Sequence, residues 1–438
     1  MKQTIKNSLR YLDGISSSIG SAIVSKMRDS SLVHRPIDQQ QKLLIDCTYI
    51  YSTNVNTGIQ RVMRNIVHHI GRYAQENGME LVTVALVNGA MIKIDQTKID
   101  SYWKLSKWQN IQQRVERKIE LYLASFTKAQ RLYEDDILLM LDSSWYLNVW
   151  QSVAFAKKRG VKVIGVTYDL IPISHPQFCD DTLGRVFDDW YSRSMIYFDG
   201  YISISKTVMS DLKIYLKGQG ADIEKYRFDY FELGSDLQEV QAYKVSTRED
   251  LKRVYADEKP IYLTVSTIEP RKNHRYLFDT FGTLWRGGSD AIWVVVGRAG
   301  WKTESLLQEM RESEEYGDKL WIFDDLDDAE LNYCYRHSTA LLFPSIVEGY
   351  GLPIIESLHN GLPVLASDTP IHREVGRDNI TYFDIEQQSA LVETLTDIEQ
   401  GRSTLISVDR SGINIPTWDD SAKDLLEKIV SVVGSRGQ

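Results

Sequence analysis

Two successive series of short apolar runs, each run followed by a longer amphipathic stretch, constrain this chain more than any other feature of its sequence. In the first series, "KLLIDCTYIY" (42–51), "MELVTVALV" (79–87), "DILLMLD" (136–142), "VKVIGVTYD" (161–169) and "GYISIS" (200–205) read as strands. Between them lie stretches of helical periodicity such as "GIQRVMRNIVHHI" (58–70). The pattern restarts near residue 259 with "PIYLTVST" (260–267), "AIWVVVGR" (291–298), "KLWIFDD" (319–325), "ALLFPS" (340–345) and "LPVLAS" (362–367). Alternating strand and helix predicts a parallel sheet with helices on both faces, and the restart predicts a second sheet of the same class. A length of 438 residues leaves room for two cores. The expected fold class is therefore α/β, with two doubly wound domains facing each other across a central cleft and ligand at the carboxyl ends of the strands. The charged stretch "YKVSTREDLKRVYADEK" (243–259) fits a connector.

Charge and cysteine usage remove several function classes. A net charge of -9 and a pI near 5.5 argue against a general nucleic-acid binder, which needs a basic balance or stripe. Cys47, Cys179 and Cys334 are odd in number and far apart, which suggests neither a disulfide framework nor a metal site, so the chain reads as cytoplasmic. No apolar run is long enough to span a bilayer, and the N-terminus lacks a signal peptide's apolar core. Residues 1–35 stand apart. Ile5, Leu9, Leu12, Ile15, Ile19, Ile23 and Met27 form one apolar helical face, and six basic residues (Lys2, Lys6, Arg10, Lys26, Arg28, Arg35) against Asp13 and Asp29 leave +4. Such a helix suits an anionic membrane surface, or equally a face of its own domain or of a partner.

The chemistry gathers at the strand ends of the second series. After "ALLFPS" comes "IVEGYG", and Leu352-Pro353 opens a helix that stops at Asn360-Gly361. Gly349 and Gly351, with Tyr350 between them and Leu352 behind, let backbone approach a ligand, and the helix start favours an anion. Glu348 and Glu356, with seven residues between them, are acceptors suited to hydroxyls. Phosphate between two polyols describes a nucleotide sugar, although an ordinary helix with an acidic first turn gives the same letters. In "VSTIEPRKNHRYLFDTF" (265–281), Arg271 and Lys272 are adjacent cations placed where a leaving diphosphate is neutralised. Gly297 and Arg298 in "VVVGRAG" stand at the next strand end, as a donor contact or a plain turn.

These segments resemble the retaining family-4 glycosyltransferases of the GT-B fold. "EGYGLPIIE" is similar to their motif of two glutamates separated by seven residues, "EPRKN" lies upstream, and "PTWDDSAKDLL" (416–426) resembles the start of their closing helix. The resemblance implies that Glu348 contacts the donor sugar, Glu356 the ribose, and Lys272 and Arg271 the diphosphate. After the amphipathic basic helix at the N-terminus (1–36), it implies an acceptor domain (37–245), a donor domain (246–415) and a C-terminal helix (416–438) closing back toward the first domain. Where many members carry an arginine after glycine, this chain has Ser266-Thr267, a charge that Arg271 would replace.

In the first domain, "NVNTGIQRVMRNI" (54–66) is similar to the glycine loop by which members approach the donor phosphates, which implies Gly58 as a donor contact and Arg61 as an acceptor contact, although a simple strand-to-helix turn accounts for Gly58 almost as well. Relatives often show a histidine near the reacting sugar; here Tyr168-Asp169 of "VTYDLIPISHPQF" fills that place, so Asp169 is the candidate beside the reacting carbon and His175 and Tyr168 line the acceptor. Asp142 in "LDSSWYL" lines an acceptor groove, while Trp145 is more simply a packing residue. The expected activity is transfer of a sugar, GDP-mannose being the first donor considered, to a saccharide or lipid-linked glycan with retention of configuration. No metal or other cofactor is expected. The alternatives are an epimerase acting on UDP-GlcNAc and a non-catalytic nucleotide-sugar-binding subunit.

Overall fold

The computed structural model describes residues 32–53, 57–100, 107–235, 248–256, 259–408 and 413–434. Residues 1–31, which carry the whole apolar row from Ile5 to Met27, lie outside the described residues. Arg35, one of the six basic residues of that segment, is described, and it is committed elsewhere. Its Nη2 lies 2.8 Å from both Asp135 and the fully buried Asp136.

The chain forms two units. The first holds Met1–Ile173, Asp181–Glu232 and Trp418–Gln438; the second holds Ser174–Asp180 and Leu233–Thr417. The first unit's sheet contains β1 (Gln41–Asp46), β2 (Met79–Val87), β3 (Ala90–Lys93), β4 (Ile137–Met140), β5 (Lys162–Thr167), β6 (Gly200–Ser203) and β7 (Arg227–Tyr230) in the order β3-β2-β1-β4-β5-β6-β7. All neighbours run parallel except β2 and β3. That hairpin turns at Asn88-Gly89, both at positive φ, the dipeptide that a two-residue turn of this hand requires. The stretch "TYIY", expected to continue β1, is instead a helix, α1 (Thr48–Thr53). Its first turn is capped by two carboxylates: Thr48 N donates to Asp46 Oδ1 at 2.9 Å, and Ile50 N donates to Asp142 Oδ2, just past β4, at 2.7 Å. A longer helix, α2 (Gly58–Glu76), buries Val62, Met63, Ile66, Val67 and Ile70 along one stripe. The helix Trp418–Gly434 belongs to this unit, with Trp418, Leu425, Leu426 and Ile429 buried and Asp419 accepting from Tyr73 Oη of α2 at 2.7 Å.

The second unit's sheet is wholly parallel: β8 (Ile261–Val265), β9 (Ile292–Val296), β10 (Leu320–Phe323), β11 (Ala340–Phe343), β12 (Val364–Ser367) and β13 (Thr381–Phe383), ordered β10-β9-β8-β11-β12-β13. This is the dinucleotide-fold order, in which the direction of winding reverses between the first and fourth strands, here β8 and β11. Alternate strand residues feed two cores. Leu263, Val294, Leu341 and Phe343 face one layer, while Tyr262, Trp293, Val295 and Leu342 face the other. The stretch expected as a bare connector contains the helix Glu249–Val254, whose Leu251 and Val254 are buried in the first of these layers.

Candidate active site

The reversal point between β8 and β11 gathers the charged residues of the second unit. Beyond β8 the chain makes a tight turn, Pro270–Lys272, and Asn273 adopts the left-handed conformation that lets α3 (His274–Arg286) begin at once. Two further helices frame the site: α4 (Asp328–His337) and α5 (Leu352–His359). The loop from β11 to α5 ends at Gly351, whose φ of 112° only glycine adopts readily, and its Ile346 N donates to Arg271 O at 2.8 Å, so the two loops are tied by backbone.

On this frame Glu348 receives both cations. Arg271 Nη1 donates to Glu348 Oε2 at 2.7 Å and to Val347 O at 3.2 Å, and Lys272 Nζ donates to Glu348 Oε1. The other arm of the guanidinium, Nη2, meets Glu269 Oε1 at 2.7 Å. Burial alone would raise Glu348, but Arg271 and Lys272 outweigh it and hold the carboxyl at about 2. Burial and then the neighbouring Arg271 charge pull Lys272 down against the attraction of Glu348, and burial raises Glu269. The ammonium of Lys272 also lies 5.4 Å from the centre of the Phe343 ring.

The remaining predicted residues of this unit fall nearby. Glu356 is buried on α5 and accepts from Tyr335 Oη of α4 at 2.8 Å. Gly349 and Tyr350 are buried in the same loop, and Tyr350 Oη donates to Leu233 O at 3.3 Å. Leu352 is the first residue of α5, so Gly351 and Leu352 stand at its amide-bearing end. Gly297 is forced by sterics, since a Cβ there would lie 1.8 Å from Ser266 O. Arg298 is exposed at the end of β9, and its carbonyl accepts from Ile268 N at 2.8 Å. Three residues not singled out from sequence join the cluster: Glu269, Tyr335 and His372, the last on α6 (Pro370–Gly376) and fully buried with Nδ1 2.9 Å from Ser367 O. Only Glu269 left a signal, an acid two positions before the arginine of "EPRKN".

In the first unit the candidates disperse. Gly58 opens α2 with no atom within 4 Å of where its Cβ would be, and Arg61 is half-buried one turn later. Asp169 accepts from Ile171 N at 3.0 Å and is half-exposed. Tyr168 and Asp142 were expected at the acceptor, but both are buried and used internally. Tyr168 Oη donates to Leu141 O at 2.7 Å, and Asp142 accepts from Ile50 N and Ser143 N as the cap of α1. Burial pushes Asp46, at the end of β1, up to about 6; burial and then the Asp46 charge push Asp142 up to about 7. His175, expected in this domain, lies in the Ser174–Asp180 segment of the second unit, 2.8 Å from Ser174 Oγ and stacked against Phe178. Trp145 packs on Phe187.

Residues 247–412 match the family model described as glycosyl transferases group 1, the stretch that holds the whole Arg271, Lys272 and Glu348 cluster. This part of the chain is a group 1 glycosyltransferase domain. Over 89% of its length the chain is similar to the serotype-specific mannosyltransferase WbdA of Escherichia coli, 27% identical over 400 residues that cover 46% of the relative. The chain thus spans about half the length of that relative. Among solved structures it is similar to a glycosyltransferase from Rickettsia africae (TM-score 0.57, 16% identity, 91% of this chain and 100% of the other). The α,α-trehalose 6-phosphate synthase of Burkholderia multivorans is similar too (TM-score 0.59, 10% identity, 91% and 100%). The fold is GT-B, with two Rossmann-like domains. Among the described residues no helix is long and apolar enough to cross a membrane.

Proposed function

We propose that this chain is a retaining glycosyltransferase that moves mannose from GDP-mannose to a saccharide or lipid-linked glycan during assembly of a surface polysaccharide. The observation that carries the reading is the pairing of Lys272 and Arg271 with Glu348 at the strand reversal of a group 1 glycosyltransferase domain. Homology to the mannosyltransferase WbdA supports the choice of sugar.

In this reading the donor diphosphate lies against Lys272 and the amide end of α5, where charge that grows as the glycosidic C–O bond breaks meets preorganised positive groups. Glu348, already ionised, accepts from a donor-sugar hydroxyl and keeps both cations in place. The acceptor oxygen bonds to the anomeric carbon on the face that the phosphate leaves, and its proton passes to a phosphate oxygen, so no enzyme nucleophile is required. Glu356 serves the nucleotide ribose, Asp169 stands beside the reacting carbon, and Arg61 and His175 serve the acceptor. The account needs no metal ion, because protein cations and helix amides supply the positive charge. Residues 1–31 supply a peripheral contact with anionic lipid on the cytoplasmic side.

A thermal-shift series with GDP-mannose and UDP sugars, with and without excess EDTA, tests this. A true donor at a hundred times its dissociation constant stabilises by about 2.7 kcal/mol. Stabilisation by GDP-mannose that survives EDTA is expected; UDP-GlcNAc as the sole stabilising ligand contradicts the reading.

A further inference from the structure

Nothing in the proposed reaction gives Glu269 a task, yet the site is built around it. Its side chain is 3% exposed, with Oε1 2.7 Å from Arg271 Nη2, and its carbonyl accepts from Lys272 N at 3.0 Å. A Cβ on Gly300 would lie 3.1 Å from Glu269 Cβ, so the facing loop closes tightly over the acid. Arg271, Lys272, Glu269 and Glu348 therefore form one cluster of two cations and two anions. The two imidazoles that feel Lys272 add no charge: burial drives His274 down to about 3 and lowers His372 as well.

We propose that Glu269 is the counter-charge that lets the nucleoside diphosphate leave after transfer. The proposal rests on the transferase reading above. With Glu269 the resting cluster nets zero, and its cations stabilise the developing diphosphate without retaining it. Without Glu269 the cluster carries +1 in a place where water screens little, and a polyanion binds more tightly. The resulting sign is one that structural damage does not produce, because a variant lacking this charge binds product better and turns over more slowly.

The test is calorimetric titration of the full chain with GDP and with UDP, comparing wild type, Glu269→Gln and the charge-retaining Glu269→Asp, alongside steady-state kinetics. Glu269→Gln is expected to bind the nucleotide about fivefold more tightly, with kcat and KM both lowered, while Glu269→Asp follows wild type. Glu269→Met is the second charge-free variant should the amide fail to fold, and the same sign is expected of it. Unchanged or weaker nucleotide binding in a folded charge-free variant overturns the proposal, because Glu269 then acts only by holding Arg271 in place. Binding of neither nucleotide by wild type removes the transferase reading and this proposal together.

Discussion

Arg271, in the loop after β8, donates from Nη1 to Glu348 Oε2 at 2.7 Å, bridging the loops that follow two neighbouring parallel strands whose paired residues, such as Leu263 and Leu341, are 78 positions apart in sequence. Because Lys272 takes the other carboxylate oxygen, Glu348 is held at about 2 against an ordinary value of 4.5. A carboxyl whose pKa is depressed on folding adds stability that is present above its unfolded pKa and lost as pH falls through its folded one. The shift corresponds to about 3 kcal/mol. Urea unfolding of wild type and Glu348→Gln between pH 7 and pH 2 should show a stability gap that is full above about pH 5 and shrinks toward pH 2. A gap independent of pH contradicts the ion-pair account.

The buried Asp46 and Asp142 have the opposite sign. Their pKa values are raised on folding, to about 6 and about 7 from an ordinary 3.8, so the folded state keeps protons that the unfolded chain releases, and stability falls as pH rises across that window. Asp46→Asn keeps an oxygen to accept from Thr48 N, as Asp46 Oδ1 does at 2.9 Å, and removes one of the two charges. Its stability should decline less than wild type's between pH 4 and pH 8 in the same unfolding series. Parallel declines mean that the pair does not titrate in this range.

Gly297→Ala places a methyl carbon 1.8 Å from Ser266 O, a backbone atom that cannot rotate away. Separating the loops after β8 and β9 should cost about 3 kcal/mol, read as a lowered Tm. An unchanged Tm contradicts the close packing of these two loops.

The strands were legible because each carries a run of β-branched and apolar residues of the right length, as in "AIWVVVGR" for β9. The short β13 (Thr381–Phe383) and β7 (Arg227–Tyr230) carry no such run and form only because a neighbouring edge supplies their ladder partners. "TYIY" has strand propensity, while the groups that cap the first turn of α1 are Asp46, on Thr48 N, and Asp142, 92 residues beyond Ile50, on Ile50 N. At the site, spacing placed Arg271, Lys272 and Glu348 at strand ends of one sheet. It did not reveal that the cations grip Glu348, because that contact depends on which strands are neighbours. Tyr168 and Asp142 look like site residues in a linear string, whereas the fold buries both and engages Tyr168 Oη with Leu141 O and Asp142 with Ile50 N.

Residues 1–31 are proposed to meet an anionic membrane surface, with each basic side chain near it worth about 1 kcal/mol. Arg35 is excluded from that tally by its pairing with Asp135 and Asp136. The full chain should co-sediment with anionic vesicles at low salt, less at high salt and little with neutral vesicles, and a chain beginning at Ile37 should not. Equal sedimentation of the two chains on anionic vesicles ends the membrane proposal.

The central claim is tested most directly by incubating the chain with GDP-mannose and a mannose-containing saccharide acceptor, and assigning the new linkage by NMR. The account predicts a glycoside with the donor's anomeric configuration, formed at least about a hundredfold more slowly by folded Glu348→Gln and Lys272→Ala. A product of inverted configuration, free sugar released without any glycoside, or wild-type rates from both variants would contradict it.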